Sequence, residues 1–194
     1  MIIGLTGGIG SGKTTVANAL RERGYKVYDT DSAAKRLVLT PAVRVSIEQL
    51  LGKDVYDGDT YLTSRVAERV FADPGLLQRL NTIVHPAVRQ DMLDTASRHP
   101  AVFVESAILY ESGFDRDCGY VVAVIAPKTL RIARTVARDN RSEEEVRQRI
   151  KAQMSNCQLR HRAQYVVENN GRQPVSILVD KLLRHLKRIN NTLK

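Results

Sequence analysis

Five short apolar runs along the chain predict five buried strands. They cover residues 2–6, 25–28, 101–105, 120–126 and 165–168, and the runs that start at residues 101 and 120 are continuously apolar until they end. Such runs are typical of strands in a parallel sheet, because helices cover both faces of that sheet. Parallel strands also need crossover connections, so helical segments between the runs indicate an α/β protein.

Helical patterns fill most of the segments between these strands. Residues 13–23 have an apolar side and end before Gly24, a favoured residue just beyond a helix. Further helices are predicted at 32–39 and 43–51, after Pro127, after Ser142 with its capping-box partner Glu145, and at 174–189. The polar stretch at 52–60 interrupts this pattern.

Residues 63–98 contain helix-start signals but no convincing strand. The signals are Ser64, Asp73-Pro74 and His85-Pro86, each followed by apolar residues at helical spacing. This segment is therefore predicted to be an all-helical insertion between two strands, with a helix boundary at His85-Pro86.

The first strand leads directly into a glycine loop. Residues 7–14 read GGIGSGKT, which satisfies the eight-residue P-loop pattern at the required junction of a strand and a helix. In such a loop, backbone N–H groups surround phosphates, Lys13 contacts the β- and γ-phosphates, and the Thr14 hydroxyl binds Mg²⁺. The glycines lack the spacing of a dinucleotide-binding fold, so the loop predicts nucleoside triphosphate binding.

Three carboxylates follow predicted strands, at the sheet edge where ligands bind in α/β proteins. Asp31 could orient or deprotonate an attacking oxygen, or it could cap the next helix, and Asp29 could equally be that cap. Glu105 ends a buried strand, where it is either an acid near the metal or a polar strand terminus.

Basic residues dominate the helices after the fourth predicted strand. Arg131, Arg134 and Arg138 share one helical face, which is either solvated or able to close over a triphosphate. His85 is isolated, and an isolated histidine is more often structural than catalytic. The four histidines and two cysteines have no zinc-site spacing.

The net charge and the composition limit the classes of molecule that this protein is expected to bind. The net charge of +9 suits a polyanion, but aromatic residues are only 5% of the chain and tryptophan is absent, which disfavours stacking on nucleic acid. No apolar run approaches membrane-spanning length, and no secretory leader is visible. We therefore expect a cytoplasmic protein that binds neither nucleic acid nor membranes.

At the level of motifs, the sequence resembles the dephospho-CoA kinase family along nearly its full length. The resemblance is carried by LTGGIGSGK at residues 5–13, Asp29-Thr30-Asp31 with Ala34-Lys35, and VFADP at 70–74. Further matches are Val84-His85-Pro86 with Arg89, Arg138-Asp139 with Ser142-Glu143-Glu144, Arg149 with Gln153, and Asn169. The sequence departs from the family pattern at Glu105, where aspartate is common, and at Lys35, where arginine is common.

This resemblance implies an ATP-dependent kinase that phosphorylates the ribose 3′-hydroxyl of dephospho-CoA, the last step of coenzyme A synthesis, with Mg²⁺. It implies catalytic roles for Lys13, Arg138 and Asp31, the last as general base, and substrate contacts for Asp31, His85 and Arg89. The implied nucleotide-binding residues are Gly8, Ile9, Gly10, Ser11, Gly12, Lys13, Thr14, Thr15, Arg138, Arg149 and Asn169, with Thr14 as the metal ligand.

The implied architecture is a P-loop nucleoside-kinase-like, three-layer α/β fold with a five-stranded parallel sheet. One domain would comprise a core (about 1–59, 99–130 and 160–194), a helical CoA-binding insertion (about 60–98) and a lid (about 131–159). We expect a monomer or a weak homo-oligomer whose partners are the small molecules ATP and dephospho-CoA.

Overall fold

Five strands form the main sheet, and a separate hairpin contributes two more. In chain order the strands are β1 (Ile2–Thr6), β2 (Lys26–Asp29), β3 (Tyr56–Asp57), β4 (Thr60–Tyr61), β5 (Val102–Glu105), β6 (Tyr120–Ile125) and β7 (Tyr165–Glu168). The order across the main sheet is β2-β5-β1-β6-β7, and β1 pairs in parallel with β5 and β6, as does β6 with β7. The predicted five-stranded parallel sheet is confirmed.

Nine α-helices are present in residues 1–189, which are the residues that this computed structural model describes, with the side chain of Pro74 left aside. They are α1 (Lys13–Glu22), α2 (Thr30–Leu37), α3 (Pro41–Leu51), α4 (Thr63–Ala72), α5 (Pro74–Ser97), α6 (Lys128–Asp139), α7 (Glu143–Ala152), α8 (Asn156–Arg162) and α9 (Val175–Ile189). Within this described range, no helix has both the length and the continuous apolar character needed to cross a bilayer.

The chain divides into two compact units. One comprises Met1–Tyr28 and the chain from Thr95 onward, and the other comprises Asp29–Asp94. The first contains the P-loop and most of the main sheet, whereas the second contains α2, α3, the hairpin, α4 and most of α5.

Both faces of the main sheet are covered within the larger unit. Helices α1 and α9 pack against alternate strand residues, including Ile3, Leu5 and Phe103, which are fully buried. On the other face, Ala123 and Ile125 form a cluster with Leu159 of α8. This arrangement explains why the strands are apolar on both faces, and it places the carboxyl ends of β1, β5, β6 and β7 at one edge.

The smaller unit has its own core and corrects two details of the sequence reading. The polar stretch at 52–60 contains most of the β3-β4 hairpin, in which Tyr56 pairs with Tyr61. His85-Pro86 is not a helix boundary, because Pro86 lies inside the 24-residue helix α5. Apolar residues before and after Pro86, Leu80 and Ala87 among them, pack into one cluster with α3 and the hairpin, and this burial offsets the backbone hydrogen bond that proline removes.

Two capping boxes define the segment between β6 and β7. The predicted box of Ser142 and Glu145 is confirmed at the start of α7. A second box, formed by Ser155 and Gln158, starts α8, a helix that the sequence analysis did not separate from its neighbours. Asn140, at φ 51°, is the residue in the left-handed region that allows the chain to turn from α6 towards α7.

Candidate active site

The glycine loop between β1 and α1 requires glycine for steric reasons. Gly10 and Gly12 have φ values of 74° and 88°, in the left-handed region. A Cβ atom at Gly10 would collide with the backbone oxygen of Arg131, and one at Gly12 would collide with the side-chain nitrogen of Asn169. Helix α1 begins at Lys13 with no side-chain cap, so this helix N-terminus is suited to an anion.

Asn169 links this loop to the sheet. It follows β7 and is buried, its backbone N–H donates to the Ile125 carbonyl (2.8 Å), and its side-chain Nδ2 donates to the Ser11 carbonyl (2.9 Å). Arg134 of α6 donates to the Asn169 carbonyl (3.2 Å) and to its Oδ1 (3.4 Å). A residue 158 positions away from Ser11 therefore holds the glycine loop in place.

A buried carboxylate connects the two chemically active P-loop side chains. Glu105 Oε1, at the end of β5, accepts hydrogen bonds from Lys13 Nζ (2.8 Å) and from Thr14 Oγ1 (2.7 Å). Arg21 Nη2 lies 3.5 Å from the other carboxylate oxygen. These contacts join the end of β5 to the start of α1.

The tip of the loop is held from both sides by residues of the predicted lid. Gln153, which follows α7, accepts a hydrogen bond from the Ile9 N–H through Oε1 (2.8 Å). Arg131 Nε donates to the Ile9 carbonyl (2.8 Å). The sequence indicated Gln153 only as a motif match beside Arg149, and it did not distinguish Arg131 from the other arginines of its helix. Contacts across 144 and 122 positions leave no local signal.

The three arginines predicted to share a face of α6 differ in burial. Arg131 is buried, Arg134 is half-buried, and Arg138 is exposed. Arg138 makes a two-pronged contact with its neighbour Asp139, through Nε to Oδ1 (2.7 Å) and Nη2 to Oδ2 (2.9 Å). That contact raises the pKa of Arg138 and lowers the pKa of Asp139. Arg149, on α7, is also exposed.

The remaining predicted residues belong to the smaller unit. Asp29, not Asp31, caps α2, since its Oδ1 accepts from the backbone N–H groups of Asp31 (3.0 Å) and Ser32 (3.3 Å). Asp31 lies exposed in the first turn of the same helix. His85 and the exposed Arg89 are one turn apart on α5, and partial burial lowers the pKa of His85 and favours its neutral form.

Oxygen ligands at the P-loop fit Mg²⁺. Magnesium usually binds one or two protein oxygens and completes its shell with water and substrate phosphates. Thr14 Oγ1 and Glu105 Oε1 are such oxygens, 2.7 Å apart. In the described part of the chain, no group of three or more histidine, cysteine, aspartate or glutamate residues could hold a metal without substrate.

Comparisons with known proteins show which proteins this chain is similar to. A family model described as dephospho-CoA kinase matches residues 1–174. The dephospho-CoA kinase of Bacteroides fragilis is 37% identical over 188 residues, which cover 95% of this chain and 92% of that protein. A solved structure from Thermus thermophilus has a TM-score of 0.84 at 36% identity and covers 98% of both chains. The solved dephospho-CoA kinase from Campylobacter jejuni, 22% identical with a TM-score of 0.72, covers 97% of this chain and 98% of its own and has the same fold.

Proposed function

The chain belongs to the dephospho-CoA kinase family, and on that premise we propose that it transfers the γ-phosphate of ATP to the ribose 3′-hydroxyl of dephospho-CoA. The products are CoA and ADP, as in the final step of coenzyme A synthesis. The observation that carries the proposal within this chain is the contact of Lys13 and Thr14 with Glu105. This contact fixes the Lys13 ammonium group where it can bind phosphate and the Thr14 hydroxyl where it can bind the metal.

ATP would bind with its phosphates at residues 8–15, which form the glycine loop and the start of α1. Backbone N–H groups of the loop and the N-terminus of α1 attract the phosphate oxygens, and Lys13 neutralises charge on the transferred group. Asn169 supports this role from outside the motif, because its side chain fixes the loop at Ser11. Mg²⁺, held by Thr14 with Glu105 beside it, would supply charge neutralisation at the phosphates.

The acceptor hydroxyl needs a proton acceptor, and Asp31 is the proposed one. Since Asp29 takes the capping role at α2, Asp31 is not required as the cap. Its carboxylate would receive the proton of the 3′-hydroxyl as the oxygen attacks the γ-phosphorus and the bond from that phosphorus to the bridging oxygen of ADP breaks.

Two further regions are assigned from the family resemblance. Arg138 and Arg149 would belong to the lid at about 131–159, and Arg138 would stabilise negative charge on the phosphoryl group in flight. Its present partner Asp139 is an adjacent, solvent-accessible carboxylate, so exchange for phosphate costs little. The insertion at about 60–98, with His85 and Arg89, would bind the CoA portion of the acceptor.

Small molecules are the expected partners, and the proposal extends to a monomer or weak homo-oligomer in the cytoplasm. The test is ADP release from Mg-ATP with dephospho-CoA, with nucleoside monophosphates as competing acceptors and mass analysis of the product. Addition of one phosphoryl group to dephospho-CoA supports the proposal. Turnover with a nucleoside monophosphate and none with dephospho-CoA would reassign the acceptor.

The base assignment is tested by Asp31→Asn, which keeps the size of the side chain but removes the proton acceptor. We expect turnover to fall about 100- to 10,000-fold, the range of general base catalysis. ATP binding, measured by calorimetry, should remain. An unchanged turnover number would contradict the role of Asp31 as base.

A further inference from the structure

Arg131 is a buried cation that has no anionic partner among the described residues. Its side chain projects from α6 and only 3% of the residue is exposed. Nε donates to the Ile9 carbonyl (2.8 Å), and Nη1 donates to Asn156 Oδ1 (3.3 Å). The third nitrogen, Nη2, is buried and donates to no group in the described part of the chain. Every acceptor that Arg131 contacts is therefore neutral.

The unpartnered nitrogen lies against the P-loop. A Cβ atom at Gly8 would collide with Arg131 Nη2 and would be 3.1 Å from Gln153 Oε1. The guanidinium and the Gln153 carbonyl thus lie against the same glycine, while they hold the carbonyl and the N–H of the next residue, Ile9. This arrangement fastens the loop tip to the end of α7 and to α6.

A buried guanidinium with only neutral acceptors destabilises the ligand-free protein. Burial lowers the pKa of Arg131, which reflects the free-energy cost of removing the guanidinium from water. Buried charges are normally paired with an opposite charge, and neutral acceptors offset the cost only in part. A polyphosphate bound in the neighbouring loop would bring the missing negative charge.

We propose that Arg131 is a positioning residue for the nucleotide, which holds the P-loop through Ile9 and whose unbalanced buried charge strengthens the binding of polyphosphate. Gln153 completes the arrangement as a neutral partner that holds the Ile9 N–H without cancelling that charge. The inference rests on the proposed function, because it takes the P-loop to be the binding site for the ATP phosphates.

Two variants test the charge. Arg131→Gln removes it, and Gln153→Glu keeps an acceptor for the Ile9 N–H but places a carboxylate beside the guanidinium. For both we expect ATP affinity to fall about 10- to 100-fold, the loss associated with one hydrogen bond to a charged group. Affinity for AMP, with its single phosphate, should fall less.

Thermal melting separates this role from a structural one. Because the wild type contains an uncompensated charge, we expect Gln153→Glu to raise the melting temperature of the ligand-free protein, and to lose that gain when combined with Arg131→Gln. Arg131→Lys, which keeps the charge, should recover most of the ATP affinity. Arg184→Gln, at an exposed arginine of α9, is the matched control and should change neither quantity.

Three results would overturn the inference. They are an ATP affinity within about twofold of wild type in Arg131→Gln and Gln153→Glu, equal losses for ATP and AMP, and equal losses for the glutamine and lysine replacements at position 131. Failure of the wild-type protein to bind ATP would instead reject the proposed function, so the two failures are distinguishable.

Discussion

The two cations proposed to act on the transferred phosphoryl group are held in opposite ways. Lys13 is 13% exposed and its partner Glu105 is 3% exposed, and the two residues are 92 positions apart. Arg138 is 62% exposed and contacts Asp139, the adjacent residue. The P-loop cation is therefore fixed by the tertiary structure before substrate arrives, whereas the lid cation is held only by a local contact in solvent.

The physical consequence is that Lys13 serves stability as well as function. Removing one partner of a buried ion pair leaves the other charge uncompensated, whereas exposed pairs contribute little because water screens them and the side chains lose entropy. Activity and stability should therefore change together at Lys13 and separately at Arg138.

The largest effect is expected for Lys13→Met. Loss of the charge on the phosphates should lower kcat about 100- to 1,000-fold, as for other preorganised electrostatic groups. The buried Glu105 would lose the cation 2.8 Å from its Oε1 and keep Arg21, 3.5 Å from its other oxygen, so the melting temperature should also fall by roughly 5–10 °C. Steady-state ADP release and thermal melting measure the two quantities. Lys26→Met, at an exposed lysine of β2, is the control, and a Lys13→Met protein with wild-type melting temperature would break the comparison.

An intermediate effect is expected for Arg138→Gln. Turnover should fall about 10- to 100-fold, since one charged hydrogen bond to the phosphoryl group is lost, while the melting temperature should not change. The control is Arg147→Gln, at an exposed arginine of α7 that pairs with Glu143. Parallel loss of stability and activity in Arg138→Gln would indicate a packing role and remove the contrast with Lys13.

The smallest effect is expected for Asp139→Asn, which removes only the local partner of Arg138. We expect turnover within about twofold of wild type, because Arg138 is 62% exposed and water screens its contact with the half-buried Asp139. The same variant also gives a prediction for pH dependence, because Arg138 lowers the pKa of Asp139.

A carboxylate with a lowered pKa stabilises the folded state at pH values above its ordinary pKa. That contribution to stability disappears as the pH falls through the lowered pKa. Any difference in melting temperature between variant and wild type should thus be present at neutral pH and vanish in acid, and a difference that grows on acidification would contradict this assignment.

Local sequence patterns were sufficient to predict the elements whose contacts join residues that are neighbours along the chain. The order of β1, the glycine loop and α1 follows from an apolar run, a glycine motif and a helical pattern that are adjacent in sequence. The Ser142 capping box was also predictable, because both of its hydrogen bonds close within three residues. The sequence could not predict whether Asp29 or Asp31 caps α2, because both residues are suitable caps at nearly the same position.

Burial overrode local preference in the smaller unit. Proline usually ends a helix, yet α5 continues through Pro86 because its apolar face is buried on both sides of that residue. The β3-β4 hairpin was missed for a related reason, since its two-residue strands are too short to show alternation, and Tyr56 acquires its partners only in the folded core.

The amino-acid sequence specified the five strands of the main sheet, the P-loop and the motifs of the family, because each strand and each motif consists of residues that are close together along the chain. Tertiary structure decided which side chains support the loop: Glu105 on Lys13, Arg131 on Ile9 and Asn169 on Ser11, at separations of 92, 122 and 158 residues. Such contacts leave no periodic or local signal, since they form only when parallel strands bring their carboxyl ends to one edge of the sheet.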